Sequence, residues 1–278
     1  MELRFVCTYW GRESLNADAF LDGVLEEGYD GVEINFPADD TFVGSFMRRL
    51  VEIRKERPRF LFIAQQVLPA ATETAAQYSA RMEERLHFLA GLSPDFINAH
   101  TGKDHFRFED NCRILERADA IASGTGVRIL HETHRGRFSF HASTLLPYLE
   151  RFPALELAAD LSHWCTVSES LLADQEEALK QIFPRVRHLH ARIGQEQAPQ
   201  VADPFAPEWA AYLRAYEQWW RDILVSAKAR GDQSFSICPE AGPAPYMPAL
   251  PFTRQPIGNQ ADVNRRMMQH LKQTFSAL

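Results

Sequence analysis

Four short apolar runs in the second half of the chain each end near a residue type that binds metal ions. They read VRILHETH (127–134), LELAADLSH (155–163), VRHLHARIG (186–194) and FSICPEAG (235–242). The residues at their ends are Glu132, Asp160, His190 and Glu240. Side chains alternate between the two faces of a strand, so each of these residues shares a face with the residue two positions earlier. If the four runs are strands of one barrel, the four side chains converge on one point.

Three carboxylates and one imidazole make a mostly hard ligand set. Such a set suits one divalent cation, Mn²⁺ first and Mg²⁺, Co²⁺ or Zn²⁺ as alternatives, better than it suits a thiolate-rich structural zinc centre. A divalent cation polarises the C–H bond beside a ketose carbonyl, and a carboxylate bound through one oxygen keeps the other as a base. Glu132 and Glu240 are therefore the predicted catalytic pair. The alternatives are salt-bridged rim carboxylates, a helix N-cap at Asp160 and a core histidine at His190.

Strand and helix patterns alternate along the whole chain and predict eight βα units of about 35 residues each. The predicted strands are Leu3–Tyr9, Gly31–Phe36, Arg59–Val67, Asp95–Thr101, Val127–Glu132, Leu155–Asp160, Val186–Arg192 and Ser234–Glu240. The predicted helices are Ala17–Gly28, Thr41–Arg57, Thr72–Leu92, Asp110–Ser123, Thr144–Phe152, Ser168–Phe183, Glu208–Arg230 and Ala261–Phe275. Strict alternation implies a parallel sheet, and eight strands favour closure. We predict a single-domain (β/α)₈ TIM barrel over 1–278.

Two long connections leave the predicted carboxyl rim of the barrel, Gly194–Pro207 after the seventh strand and Ala241–Gln260 after the eighth. TIM-barrel enzymes place their active sites at that rim. The prolines of the second connection predict a stiff loop, and we expect its part Gly242–Gly258 to cover the metal site. Tyr246 and Arg254 are the candidates to reach the pocket or a neighbouring subunit. A surface crossover at the barrel's edge is the alternative.

The motifs on the last four strands resemble the xylose isomerase-like barrel superfamily, which includes sugar isomerases, sugar epimerases, inosose dehydratases and the AP endonuclease branch. Glu132, DLSH at 160–163, the second histidine of HLH and Glu240 of CPEAG match the metal motifs of its ketose 3-epimerase branch. The resemblance implies one divalent cation on Glu132, Asp160, His190 and Glu240. Arg192, in HARIG, departs from the epimerase pattern, so the resemblance implies nothing about substrate recognition.

Six further polar or aromatic residues are predicted to contact the substrate: His163, Arg192, His134, His100, Glu33 and Trp10. His163 could instead hold a second ion, and Arg192 could pair with Glu196. His188 is predicted to support His190 from one layer below.

The leading hypothesis is a sugar isomerase or epimerase that moves a proton beside a metal-held carbonyl through an enediolate. A dehydratase of the inosose dehydratase type would use the same site to expel a hydroxyl. A non-catalytic barrel that binds metal and ligand is the third possibility.

Composition excludes several other classes of partner. The formal net charge is −7 and no Lys/Arg run is present, which argues against nucleic acid and against an anionic membrane surface. The four cysteines lack CxxC spacing, and the first residues lack the apolar stretch of a signal peptide. We therefore expect a cytoplasmic protein with a small sugar or polyol as its substrate. The family resemblance implies a homodimer or homotetramer.

Overall fold

Eight parallel strands close into a barrel, in chain order, in the computed structural model, which describes residues 1–278. The strands are β1 Glu2–Thr8, β2 Gly31–Ile34, β3 Leu61–Gln66, β4 Phe96–Ala99, β5 Ile129–Glu132, β6 Leu157–Ala159, β7 Val186–His190 and β8 Ser234–Cys238. Pairing of β1 with β8 closes the barrel. The predicted TIM barrel is confirmed, and each predicted strand contains its observed strand or begins one residue after it.

Nine α-helices surround the barrel. They are α1 Ala17–Glu26, α2 Asp40–Glu56, α3 Ala75–Gly91, α4 Phe108–Thr125, α5 Ala142–Arg151, α6 Leu161–Ser168, α7 Glu176–Ile182, α8 Ala210–Arg230 and α9 Gln260–Thr274. No helix is both long enough and apolar enough to cross a bilayer.

The apolar core has two parts because strand side chains alternate between the inside and the outside of the barrel. The inner part fills the barrel with six apolar side chains: Val6, Ile63, Phe96, Leu130, Ala158 and Cys238. The outer part lies between strands and helices and contains residues such as Ile129, Leu157, Leu189 and Ile237. Three of these inner residues are Leu130, Ala158 and Cys238. Each comes two positions before a predicted metal ligand, on the strand face that the sequence assigned to that ligand.

The region after β6 differs from the prediction of one helix over Ser168–Phe183. A separate helix, α6, begins directly after the strand, and α7 starts only at Glu176. The Asp160 side chain accepts a hydrogen bond from the Ser162 amide at 2.9 Å and so caps α6. The sequence of α6, LSHWCTVS, has no clear amphipathic pattern, and its side chains from Leu161 to Cys165 are all buried. A helix buried on all sides gives no periodic signal, which is why it was missed.

The two long connections after β7 and β8 are joined to each other at the carboxyl end of the barrel. The Gln200 amide donates to the Gly242 carbonyl at 3.1 Å and accepts from its N–H at 2.7 Å. Asn264 of α9 makes the same pair of bonds with Ala241 at 3.1 and 2.6 Å. These side chains fix the start of the proline-rich segment 242–258 beside the end of β8.

Candidate active site

Four polar side chains meet at the carboxyl ends of the last four strands. Glu132 ends β5 and His190 ends β7, while Asp160 follows β6 directly and Glu240 lies two residues beyond β8. All four are buried. The His190 Nδ1 atom lies 2.9 Å from Glu240 Oε2 and 3.7 Å from Glu132 Oε1. Ligand-type atoms of Asp160, His190 and Glu240 all lie within 4.8 Å of one another.

Protein groups hold one oxygen of Glu132 and both oxygens of Asp160. Glu132 Oε2 accepts from Asn98 Nδ2 at 2.8 Å and contacts His100 Nε2 at 3.1 Å. Asp160 Oδ1 accepts from the Ser162 amide at 2.9 Å and from its hydroxyl at 2.6 Å, while Asp160 Oδ2 contacts the Arg192 guanidinium. Glu132 Oε1 lies 3.7 Å from His190 Nδ1. This arrangement fixes the carboxylate planes before any ligand arrives.

His190 is oriented from below by a buried carboxylate. Its Nε2 atom lies 3.0 Å from Glu33 Oε2, and His188 Nε2 contacts the same oxygen at 3.0 Å. His188 is itself fixed by Ser236, whose Oγ lies 2.7 Å from Nδ1. With Nε2–H donated to Glu33, His190 turns its Nδ1 atom toward Glu240 and Glu132, and this nitrogen becomes a ligand for a cation when it gives up its proton. This Nδ1 atom is buried and has no hydrogen bond of acceptable geometry.

Burial and charge shift the pKa values of these groups in opposite directions. Burial alone would lower the pKa of His190, but Glu240, Glu33 and Glu132 together raise it well above its ordinary value. Burial would raise the pKa of Glu132, yet His100 and His190 outweigh burial and hold it well below the usual range. Burial raises the pKa of Asp160, although Arg192 opposes this. The carboxylates around His190 thus stabilise positive charge at this position, which a bound cation would supply in place of the ring proton.

Arg192 inserts its guanidinium among the carboxylates. Its Nη2 atom contacts Asp160 Oδ2 and lies 2.9 Å from His163 Nε2, and Nη1 is 3.6 Å from Glu240 Oε2. The side chain is 2 % exposed. Pairing with Glu196, the alternative raised from the sequence, does not occur, because Glu196 instead accepts a hydrogen bond from Tyr212. Arg192 therefore contacts the proposed metal ligands directly.

A cavity of about 510 Å³ opens above the cluster. Of the predicted site residues, it is lined by Trp10, His100, Glu132, His134, Arg192 and Glu240. Glu33 and His163 do not line it. Glu33 is completely buried and contacts His190 Nε2, one layer deeper than the cavity lining, so the structure places it as a support for His190 and not at the predicted position for substrate contact. His163 is also fully buried, on α6, with its ring centroid 3.8 Å from that of His134.

The proline-rich segment reaches the cavity through Tyr246. The Tyr246 ring lies 4.9 Å from the Trp10 ring and 4.8 Å from the Arg192 guanidinium carbon. Arg254, the other predicted contact of this segment, is exposed and lies outside the cavity lining. Segment 242–258 thus covers part of the mouth with one aromatic side chain.

Solved structures with the same architecture were found, whereas no protein-family model and no curated protein matches the chain. The probable 3-DHS dehydratase AsbF from Bacillus anthracis is 18% identical, with a TM-score of 0.65 over 98% of this chain and 99% of that one. A xylose isomerase-like TIM barrel protein from Mycobacterium smegmatis, in complex with magnesium, is 12% identical, with a TM-score of 0.62 over 98% and 97%. The chain has the fold of the xylose isomerase-like TIM barrels. The zinc-containing IOLI protein is also similar, at 13% identity and a TM-score of 0.65 over 98% and 96%.

The site of this barrel fits a divalent cation by its own chemistry. Glu132, Asp160 and Glu240 bring three formal negative charges together against the single positive charge of Arg192. His190 adds a buried nitrogen without a hydrogen bond. Oxygen and imidazole ligands of this kind bind Mn²⁺, Mg²⁺ or Zn²⁺. These residues could hold one such ion.

Sequence reasoning missed Arg137, which lines the cavity from the loop between β5 and α5. The signal was present in HRGR at 134–137, because TIM-barrel enzymes draw functional residues from the loops after their strands.

Proposed function

We propose that this chain is a metal-dependent sugar isomerase or epimerase that transfers a proton at the carbon next to a carbonyl group. The observation that carries the proposal is that Glu132 and Glu240 lie 3.7 and 2.9 Å from His190 Nδ1 and both line one cavity. The proposed ligands of the ion, Mn²⁺ in the first instance, are Glu132, Asp160, His190 and Glu240. When bound, a divalent cation makes the C–H bond beside a carbonyl more acidic.

The two glutamates are suited to remove and return one proton. Glu240 accepts no hydrogen bond of good geometry from the protein, and its only close polar neighbours are His190 and Arg192. Glu132 is restrained at one oxygen by Asn98 and His100. A base at each side of a planar enediolate allows the proton to leave one face and to return to the other. Epimerisation requires both glutamates. Isomerisation requires one glutamate to remove a proton from one carbon and to return it to the neighbouring carbon.

The cavity walls favour a small polyhydroxy compound. Its volume of about 510 Å³ accommodates a molecule of sugar size. Trp10 and Tyr246 offer aromatic faces that can pack on the C–H groups of a sugar. His100, Asn35 and Gln65 supply hydrogen-bonding groups among the lining residues. Two of the three enzyme-like neighbours named above carry metal ions, and one is called a probable dehydratase.

Solvent exchange of the substrate's hydrogen tests the proposal. The Mn²⁺-loaded protein is incubated with a panel of ketoses in deuterated water, and NMR follows the hydrogen beside the carbonyl. We expect deuterium to enter with the wild type and to fall at least 100-fold with Glu132→Gln and with Glu240→Gln. The matched control, Glu156→Gln, removes a carboxylate at the amino-terminal end of the barrel, where it pairs with Arg128 and Arg187. Turnover with full retention of the substrate hydrogen would refute proton transfer.

A dehydratase is the second candidate, and His134 is the observation that favours it. His134 lines the cavity beside Glu132, and burial, together with His100, holds its pKa well below the ordinary value. An imidazolium of lowered pKa is a strong acid, so the proton that Glu132 or Glu240 removes from carbon could pass through His134 to the departing hydroxyl, which leaves as water. The same NMR experiment separates the reactions, because dehydration yields an unsaturated product with loss of the hydroxyl carbon signal. Binding without any exchange would instead indicate a non-catalytic barrel.

A further inference from the structure

Arg137 is a cavity-lining arginine without an acidic partner. It lies in the loop between β5 and α5, and no carboxylate lies within 4.0 Å of its guanidinium nitrogens. Its one polar side-chain contact is Nη2 with His100 Nδ1 at 3.5 Å. Its Nε atom is buried and has no hydrogen-bond partner. A buried donor of this kind is costly unless another group satisfies it.

A second basic group lies near Arg137. Burial and then Arg137 lower the pKa of the Lys103 ammonium group, while Glu73 raises it. Glu73 is itself paired with Arg81. The His100 ring contacts both Arg137 and Glu132. Arg192, in contrast, has its charge matched by Asp160 and Glu240. The Arg137 guanidinium therefore lines the cavity without a paired carboxylate.

We propose that Arg137 binds an oxyanion at the end of the substrate remote from the reacting carbon. This inference rests on the proposed function and narrows its substrate class to sugars that carry a carboxylate or a phosphate. A planar guanidinium recognises either group through two parallel hydrogen bonds. The substrate then spans the cavity, with its carbonyl end at Glu132 and Glu240 and its anionic end at Arg137. The buried Nε donor obtains its acceptor only in the complex.

Binding of three matched, unreactive polyols tests the proposal: neutral D-glucitol, D-gluconate and D-glucitol 6-phosphate. Calorimetry of the Mn²⁺-loaded protein should give at least tenfold tighter binding for one or both anions than for glucitol. The tighter anion identifies the group that the site prefers. Arg137→Gln should weaken anion binding at least tenfold and change glucitol binding less than twofold. Arg137→Lys should give an intermediate loss, because it keeps the charge without the planar fork.

Arg135→Gln is the matched control. Arg135 lies in the same loop and carries the same charge, but it packs over the Tyr246 ring at 5.2 Å and does not line the cavity. The Arg135→Gln variant should bind the anions more tightly than glucitol by the same factor as the wild type. Equal binding of all three polyols, or equal losses in Arg137→Gln and Arg135→Gln, would overturn the proposal. Because none of the probes reacts, a failure here is distinct from a failure of proton transfer, which the deuterium experiment reports.

Discussion

At the scale of single residues, the site depends on how a few buried side chains hold one another. Glu33 is the clearest example, since it contacts both His188 and His190 through one oxygen. Burial would raise the pKa of Glu33, but the two histidines hold it well below the usual range. Glu33 therefore acts as an anionic anchor that fixes the His190 ring and leaves Nδ1 directed at the cluster.

Glu33→Gln should weaken Mn²⁺ binding by roughly tenfold to a hundredfold, the usual cost of losing a partner that orients a metal-bound histidine. Titration of the protein with Mn²⁺, followed by electron paramagnetic resonance, measures the free ion directly. Glu156→Gln, far from the cluster, serves as the control. Unchanged affinity in Glu33→Gln would show that the strand alone orients His190.

Arg192→Gln should strengthen Mn²⁺ binding by roughly tenfold. The guanidinium contacts Asp160 and Glu240, so it repels an incoming cation and competes for the same oxygens. The same titration applies, with Arg187→Gln as the control, because Arg187 lies on β7 and its side chain pairs with Glu156. Weaker binding in Arg192→Gln would mean that Arg192 chiefly orients Asp160.

At the scale of elements, the position of the segment after β8 depends on a close approach between the Gly242 backbone and the Trp10 ring. A Cβ atom added at Gly242 would lie 2.1 Å from the Trp10 ring. The ring in turn contacts Tyr246, so a side chain at Gly242 must displace the wall of the cavity or the segment that covers it. Glycine is needed here for space.

Gly242→Ala should destabilise the fold by about 1–3 kcal/mol, as forced overpacking does. Gly44→Ala is the matched control, because Gly44 lies in α2 and a Cβ there meets nothing within 4 Å. That change should stabilise the helix by about 0.5–1 kcal/mol. Urea unfolding followed by circular dichroism compares both variants with the wild type. Equal stability of Gly242→Ala and wild type would show that the Trp10 ring moves freely.

At the scale of the whole molecule, the four cysteines are free and buried, and they are dispersed over the barrel. Burial raises the pKa of Cys7 and of Cys165 to about 12. Only about one such thiol in ten thousand is a thiolate at pH 8, and the thiolate is the reactive form. The folded barrel should therefore react very slowly with a disulfide reagent such as DTNB at pH 8.

Unfolding in urea should release all four thiols at the ordinary rate, and absorbance at the dye's wavelength counts them. As the pH rises from 8 toward 10, the folded protein should stay unreactive, since a raised pKa delays thiolate formation. Rapid labelling of one thiol at pH 8 would identify a local opening of the barrel.

The sequence by itself determined the alternation of elements and the face of each strand. The alternation of side chains along a strand is set by local peptide geometry, so Glu132 and His190 could be assigned to the barrel interior from their neighbours alone. Each predicted strand overlaps its observed counterpart, and the main error, at α6, arose where a helix is buried on all sides. The proposed metal ligands also came from the sequence. The structure places atoms of Asp160, His190 and Glu240 within 4.8 Å of one another and Glu132 Oε1 3.7 Å from His190 Nδ1, and the binding of an ion stays a prediction.

Only the tertiary structure decided what the long and charged side chains contact. Arg192 pairs with Asp160 rather than Glu196, Glu33 lies beneath His190, and Arg137 faces the cavity without an acid. A long side chain has several rotatable bonds, so its conformation depends on the charged groups around it. Those groups come from strands that are far apart in the chain. Residues 33 and 190 are 157 positions apart, and no local pattern encodes their contact. The depth of a side chain along the barrel axis, which separates support from substrate contact, is likewise fixed only when the barrel closes.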